Sequence, residues 1–175
     1  AISKDEDFEK HLNRYPVLYL DMTDFVTKYG NDEQLVEHIK RDICEELLEL
    51  YKGVVMKPND DLMDLLVSIV NQTGEKFVCL IDEWDALCRE GQEKQMDEYV
   101  NLLRRLFKGS MSEYVFACSY MTGILPIKRY NTQSALNNFD EYTMLSPAQL
   151  APYFGFTENE VEQLCTEVGM DAYKM

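Results

Sequence analysis

The sequence predicts an α/β fold, a three-layer sandwich around a mostly parallel sheet, with a small helical segment at its C-terminal end. Three observations predict it. Phe77-Val-Cys-Leu-Ile81 is an unbroken apolar run closed by Asp82 and Glu83, and a run with no polar alternate suits a strand covered on both faces. Two further apolar runs, Val17-Leu-Tyr-Leu20 and Tyr114-Val-Phe-Ala-Cys118, are separated from it by long stretches of helical period. Strands spaced in that way pair in parallel through right-handed crossovers.

Taken in order, residues 1–14 are polar, with a short surface helix over Asp5–Leu12. Tyr15-Pro16 marks a boundary, and the Val17–Leu20 strand ends at Asp21. After a turn at Tyr29-Gly-Asn, Asn31 and Gln34 form a capping-box pattern. Leu35, Val36, Ile39, Ile43, Leu47 and Leu50 then keep a helical period up to Gly53. Pro58-Asn-Asp60 opens a second helix with Leu62, Leu65, Leu66, Ile69 and Val70 on one face, stopped by Gly74. The Phe77 strand follows, and then a helix over Gln95–Lys108 with Met96, Tyr99, Val100, Leu103, Leu106 and Phe107 inward. The Tyr114 strand reaches Thr122-Gly123, with Tyr120 and Met121 read as core. A loop with Pro126, Lys128 and Arg129 leads to a short helical piece near 133–137. Tyr142–Leu145 reads as a last short strand and Ser146-Pro147 as a helix start. A second capping box, Thr157 with Glu160, opens a helix whose Val161, Leu164, Cys165 and Val168 face inward. The division is therefore a core over 1–145 and a helical segment beginning at 146–175.

The composition is that of a folded domain, with 46% hydrophobic and 28% charged residues in 175. A formal charge of −15 opposes direct nucleic-acid binding, which needs Lys and Arg against phosphates. It leaves room for a nucleotide site, where a cation carries the attraction. Five cysteines, none in a Cys-x-x-Cys pair, and only two histidines, His11 and His38, far from any cysteine pair, argue against a zinc site and fit a reducing cytoplasm. Cys79 and Cys118 read as small buried thiols inside strands. No apolar run is long enough to span a membrane, and the first residues do not have the form of a signal peptide.

Polar residues gather at one rim of the sheet. Asp21, the pair Asp82-Glu83, and Thr122 each stand at the carboxyl end of a strand, and open α/β sheets bind ligands there. Polar residues also mark strand ends for purely structural reasons, and acids suit the first turn of a helix. Two adjacent acids after a buried strand are costly to desolvate unless a cation meets them, and Mg²⁺ is held through one or two carboxylates, water and phosphates. Apolar strand plus Asp-Glu is the Walker B pattern of nucleotide triphosphatases. Other phosphate chemistries fit less well. Asp21-x-x-Asp24 departs from the Asp-x-Asp of dehalogenase-type phosphatases. A receiver domain would use Asp21, Asp82, Thr122 and Lys128, but it has one helix between neighbouring strands where this chain has two. A nuclease metal site would place Glu-x-Lys beside such an Asp, and none stands here. In the triphosphatase reading Asp82 holds the Mg²⁺ water shell, Glu83 orients and polarises the attacking water, and Thr122 senses the γ-phosphate. Nothing in the chain matches Gly-x-x-x-x-Gly-Lys-Ser/Thr, so no nest of backbone amides cradles the phosphates.

Six stretches carry a resemblance: Phe8–Pro16 (Phe-Glu-Lys-His-Leu-Asn-Arg-Tyr-Pro), Leu80–Leu87 (Leu-Ile-Asp-Glu-Trp-Asp-Ala-Leu), Tyr99–Phe107, Met121–Lys128 (Met-Thr-Gly-Ile-Leu-Pro-Ile-Lys), Thr132–Phe139 and Tyr153–Thr157. With them the chain resembles the predicted AAA-type (AAA-ATPase-like) ATPases of bacteria over nearly its whole length. The resemblance implies a P-loop ATPase of the additional-strand class that uses ATP and Mg²⁺, with a helical lid and often a nuclease-like domain further on. It also implies that the Walker A loop and first strand lie upstream, so that this chain is an internal fragment, inactive alone. The missing strand would sit between the Tyr114 strand and the short last one, and its absence would leave an apolar edge open to self-association or another protein. The alternative is a non-catalytic interaction or regulatory domain that keeps the fold. Among other residues, Arg104 or Arg105 suits an arginine finger or a solvated helix face, Trp84 suits core packing ahead of shielding the site or stacking a base, and Lys128 and Arg129 suit a phosphate contact or plain surface.

Overall fold

The computed structural model describes residues 2–30, 32–91, 93–126, 136–153 and 155–170. They fall into two compact units, Ala1–Phe139 and Asp140–Met175. The first is an α/β sandwich on a parallel sheet, in the order β1 (Val17–Asp21), β2 (Phe77–Asp82), β3 (Phe116–Met121). Its helices are α1 (Phe8–His11), α2 (Met22–Tyr29), α3 (Leu35–Leu50), α4 (Leu62–Thr73), α5 (Ala86–Arg89), α6 (Glu93–Phe107) and α7 (Ser110–Val115).

The long helices form where the apolar period requires. Leu35, Val36, Ile39, Ile43 and Leu47 are buried along α3, and Leu62, Met63, Leu65, Leu66, Ile69 and Val70 along α4. Asp61 caps α4 in a capping box with Asp64, and Gly74 ends it in the left-handed conformation at φ 75°. On α6, Met96, Tyr99, Leu103, Leu106 and Phe107 are buried, as is Leu102. Asn31 lies outside the described residues. The N-cap of α3 is Gln34, whose side chain makes no capping bond, while the Asp32 carboxylate accepts from Gln34 N at 2.8 Å.

The two faces of the sheet are unequally covered. Leu18, Leu20, Phe77, Cys79 and Ile81 alternate onto the buried face. On the other face Val17 and Tyr19 are each 57% exposed, Tyr120 is exposed, and Val78 and Leu80 are half-buried. The expectation of a first strand fully inside, and of Tyr120 as core, is thus corrected: Val17 and Tyr19 of β1, and Tyr120, fall on the open face. Cys118 is also exposed, because its partner is Val78 on that face, after a register shift at Phe77/Val78.

Four further local readings change. Tyr114 and Val115 belong to α7, not to the strand, since a short apolar run does not separate helix from strand by period. Val115 is buried, and the Tyr114 hydroxyl donates to Asn71 Oδ1 of α4 at 2.7 Å. The helix α2, absent from the sequence reading, starts because Asp21 accepts from Thr23 N at 2.9 Å and Asp24 N at 3.3 Å. It buries Met22 and Val26, four residues apart. In the second unit, Tyr142–Leu145 is no strand but one side of a single antiparallel bridge, Thr143 to Ser146. That unit has a 3-10 helix at Ala148–Tyr153 and the helix α8 (Glu158–Glu167), opened by the capping box of Thr157 and Glu160. Within α8 Cys165 is buried, but Leu164 is exposed and Val168, just beyond it, is 67% exposed.

Candidate functional site

The carboxyl ends of the three strands meet in one row. Asp21 is the register partner of Asp82, and Thr122 N donates to Ile81 O at 2.9 Å, which brings Thr122 beside Asp82. The Thr122 hydroxyl donates to Asp82 Oδ1. The other Asp82 oxygen accepts from the Tyr19 hydroxyl at 3.3 Å. Alternation along β1 and β2 puts Tyr19, Asp21 and Asp82 on the open face. Asp82 and Thr122 are half-buried, within reach of solvent.

Glu83 follows directly in a conformation that non-glycine residues seldom adopt, with φ 51°. Such a backbone costs about 1–3 kcal/mol and persists only where its surroundings over-determine it. Those surroundings are visible. Glu83 N donates to Asp82 Oδ1 at 3.1 Å and to Thr122 Oγ1 at 3.3 Å. Trp84 N donates to Thr122 O, and Ala86 N to Glu83 O, at 2.9 and 2.8 Å. The turn after β2 is therefore stitched to the end of β3.

Beyond that turn Trp84 is buried, as the sequence suggests, and Asp85 is fully buried. A buried carboxylate needs partners. Asp85 has three: Ile124 N at 3.3 Å, Leu125 N at 2.9 Å and Arg89 Nε at 3.3 Å. Arg89 also donates through its other arm to Glu83 Oε2. Gly123 lies against this group so tightly that a Cβ there would come within 2.5 Å of Trp84 Cδ1 and 2.7 Å of Asp85 Oδ1.

The structure thus brings Asp82, Glu83 and Thr122 together and adds Tyr19, Asp85, Arg89 and Gly123, to none of which the sequence analysis gave a role, although Asp85 and Gly123 lie within two of the stretches that carry the resemblance. Asp85 and Arg89 carried a signal, an acid and a base at i and i+4. Arg104 and Arg105 lie on α6, where Arg105 pairs with Asp61 at 2.6 Å and Arg104 donates to Asn101. Lys128 and Arg129 lie outside the described residues.

Asp82, Thr122 and Asp21 offer oxygen atoms only, the donor type of a hard cation. Among the described residues no three His, Cys, Asp or Glu side chains gather into a ready-made metal cage. Asp82 and Thr122, side by side, could offer a carboxylate and a hydroxyl to such an ion. No helix among the described residues is long and apolar enough to cross a membrane.

No curated protein matches the chain. Residues 1–132 match the family model described as Predicted AAA-ATPase. The chain belongs to the predicted AAA-ATPase family.

Proposed function

We propose that this chain is the Mg²⁺-binding and sensor part of an ATP-hydrolysing AAA-type ATPase, working in the cytoplasm. The reading rests on one observation: an acid, Asp82, and a hydroxyl, Thr122, are hydrogen-bonded side by side at the carboxyl ends of adjacent parallel strands, with a second acid in a strained turn between them. Asp82, with Thr122 beside it, would hold Mg²⁺ through its water shell, and the ion would neutralise phosphate charge. Glu83 orients and polarises the attacking water. Thr122 senses the terminal phosphate. Phosphoryl transfer asks for positioning and charge neutralisation more than covalent chemistry, and these residue types supply part of that.

The sequence carries no phosphate-cradling loop, and in this reading another part of the parent protein would grip the nucleotide's phosphates. Residues 1–145 then act as a partial core and 146–175 as the start of a lid. Alone, the chain neither binds ATP strongly nor hydrolyses it. The outer edge of β3, with which no strand pairs among the described residues, is where it would self-associate or meet another protein.

The test is Glu83→Gln in the full-length protein. Hydrolysis falls by about 10²–10⁴-fold, while Mg²⁺-ATP binding measured by calorimetry is kept. An unchanged rate removes Glu83 from the reaction. A full-length protein that binds nucleotide but never turns it over supports the non-catalytic interaction domain, which the open sheet face also favours.

A further inference from the structure

We propose that Arg89 is a positioning residue for Glu83, fixing its carboxylate through the buried Asp85; this rests on Glu83 acting on water as proposed above. A carboxylate on a turn at φ 51° has an unusual direction of approach, and the Glu83 side chain is 36% exposed. Left alone it would sample several rotamers. One of its oxygens is instead held by Arg89, at the end of α5. A guanidinium presents its donors in a rigid planar fork, so one arm fixes where the other points. Here the second arm is anchored on a group that does not move freely: Asp85 is fully buried, walled by Trp84 and Gly123, and held by Ile124 N and Leu125 N. Only Oε2 of Glu83 is engaged by Arg89, which leaves Oε1 for a water molecule.

Beside the bonds made by the Thr122, Glu83 and Trp84 amides, two side-chain bridges join the end of β2 to the segment after β3. One runs from Asp82 to Thr122. The other runs from Glu83 through Arg89 and Asp85 to Ile124 and Leu125. The acid that acts on water and the hydroxyl that senses phosphate are thereby set by one frame. Displacement of the Ile124–Leu125 segment would turn the Glu83 carboxylate without touching it.

The experiment compares Arg89→Ala, Arg89→Lys and Glu83→Gln in the full-length protein. Arg89→Ala lowers kcat by about ten- to a hundredfold, the loss typical of a misplaced reacting group, with KM and the Kd for Mg²⁺-ATP within about twofold. Arg89→Lys keeps a cation beside Asp85, so the fold is retained, and it recovers part of the rate. Thermal denaturation supplies a readout independent of turnover: the Tm shifts of Arg89→Ala and Glu83→Gln are non-additive in the double variant, because the two residues share one interaction. An unchanged or raised kcat in Arg89→Ala beside an inactive Glu83→Gln overturns this inference alone. Additive Tm shifts overturn it as well. A fully active Glu83→Gln overturns the assignment on which it stands.

Discussion

Replacing Gly123 by Ala tests the frame behind the acids with a single methyl group. The backbone of Gly123 is not in the left-handed region, so the substitution acts through contact and not through conformation. The new Cβ would lie 2.5 Å from Trp84 Cδ1 and 2.7 Å from both Trp84 Nε1 and Asp85 Oδ1. Non-bonded carbons rest at about 3.5–4.0 Å, so something must retreat by roughly 1 Å. Both neighbours are enclosed, Trp84 at 3% and Asp85 at 0% exposure. Overpacking a site of this kind costs about 1–3 kcal/mol. If Asp85 gives way, Ile124 N and Leu125 N lose their acceptor, at roughly another 1–3 kcal/mol. The expected loss is about 2–6 kcal/mol, which lowers Tm by on the order of 10 °C in a chain of this size. Urea unfolding followed by tryptophan fluorescence reads it directly, because Trp84 is the single tryptophan of the sequence. A change within about 0.5 kcal/mol of the parent would show that the turn can relax, and the rigid anchoring of Asp85 would be refuted.

Two further predictions concern other parts of the fold. Burial pushes the Cys79 thiol up to about 12, whereas Cys118 is exposed on the open face; a thiol reagent at neutral pH modifies Cys118 in the native protein and Cys79 only on unfolding, as peptide mapping by mass spectrometry would show, and a protected Cys118 would mean that this face is covered. Burial also pushes the Asp42 carboxyl up, but hydrogen bonds from Lys28, Tyr29 and Arg41 outweigh it and hold the group well below the usual carboxylate range. Its folded value is depressed, so its contribution is fully present above the ordinary pKa of about 3.9 and is lost as pH falls through the folded value. Urea midpoints measured from pH 6 to pH 2 should fall more steeply for the parent than for Asp42→Asn, and parallel curves would refute the pairing.

Much of the fold is legible because it depends on periods that survive in the sequence. The stripes of α3, α4 and α6, the Gly74 stop and the Thr157–Glu160 box each follow from local chemistry. The row of Asp21, Asp82 and Thr122 could be anticipated because parallel strands bring their carboxyl ends to one rim. What failed was whatever needed a partner to decide it. Tyr114-Val115 reads equally as strand or helix until Asn71 meets the tyrosine hydroxyl. Tyr120 and Cys118 look like core until the sheet shows which face lacks cover. Asp85 and Arg89 sit four apart as hundreds of surface pairs do, and only the burial of Asp85 and the backbone amides of Ile124 and Leu125 set them apart. The strain at Glu83 has no sequence signal, since nothing forbids an acid from being forced into a glycine-like turn.

The uneven cover of the sheet has a bearing on how the acids are reached. Tyr19, Val78, Leu80 and Tyr120 form an apolar panel that continues, along the same strands, into Asp21 and Asp82. Tyr19 already spans the boundary, with its ring on the panel and its hydroxyl on Asp82. Any element that comes to rest on the panel therefore arrives at the carboxylates in the same movement.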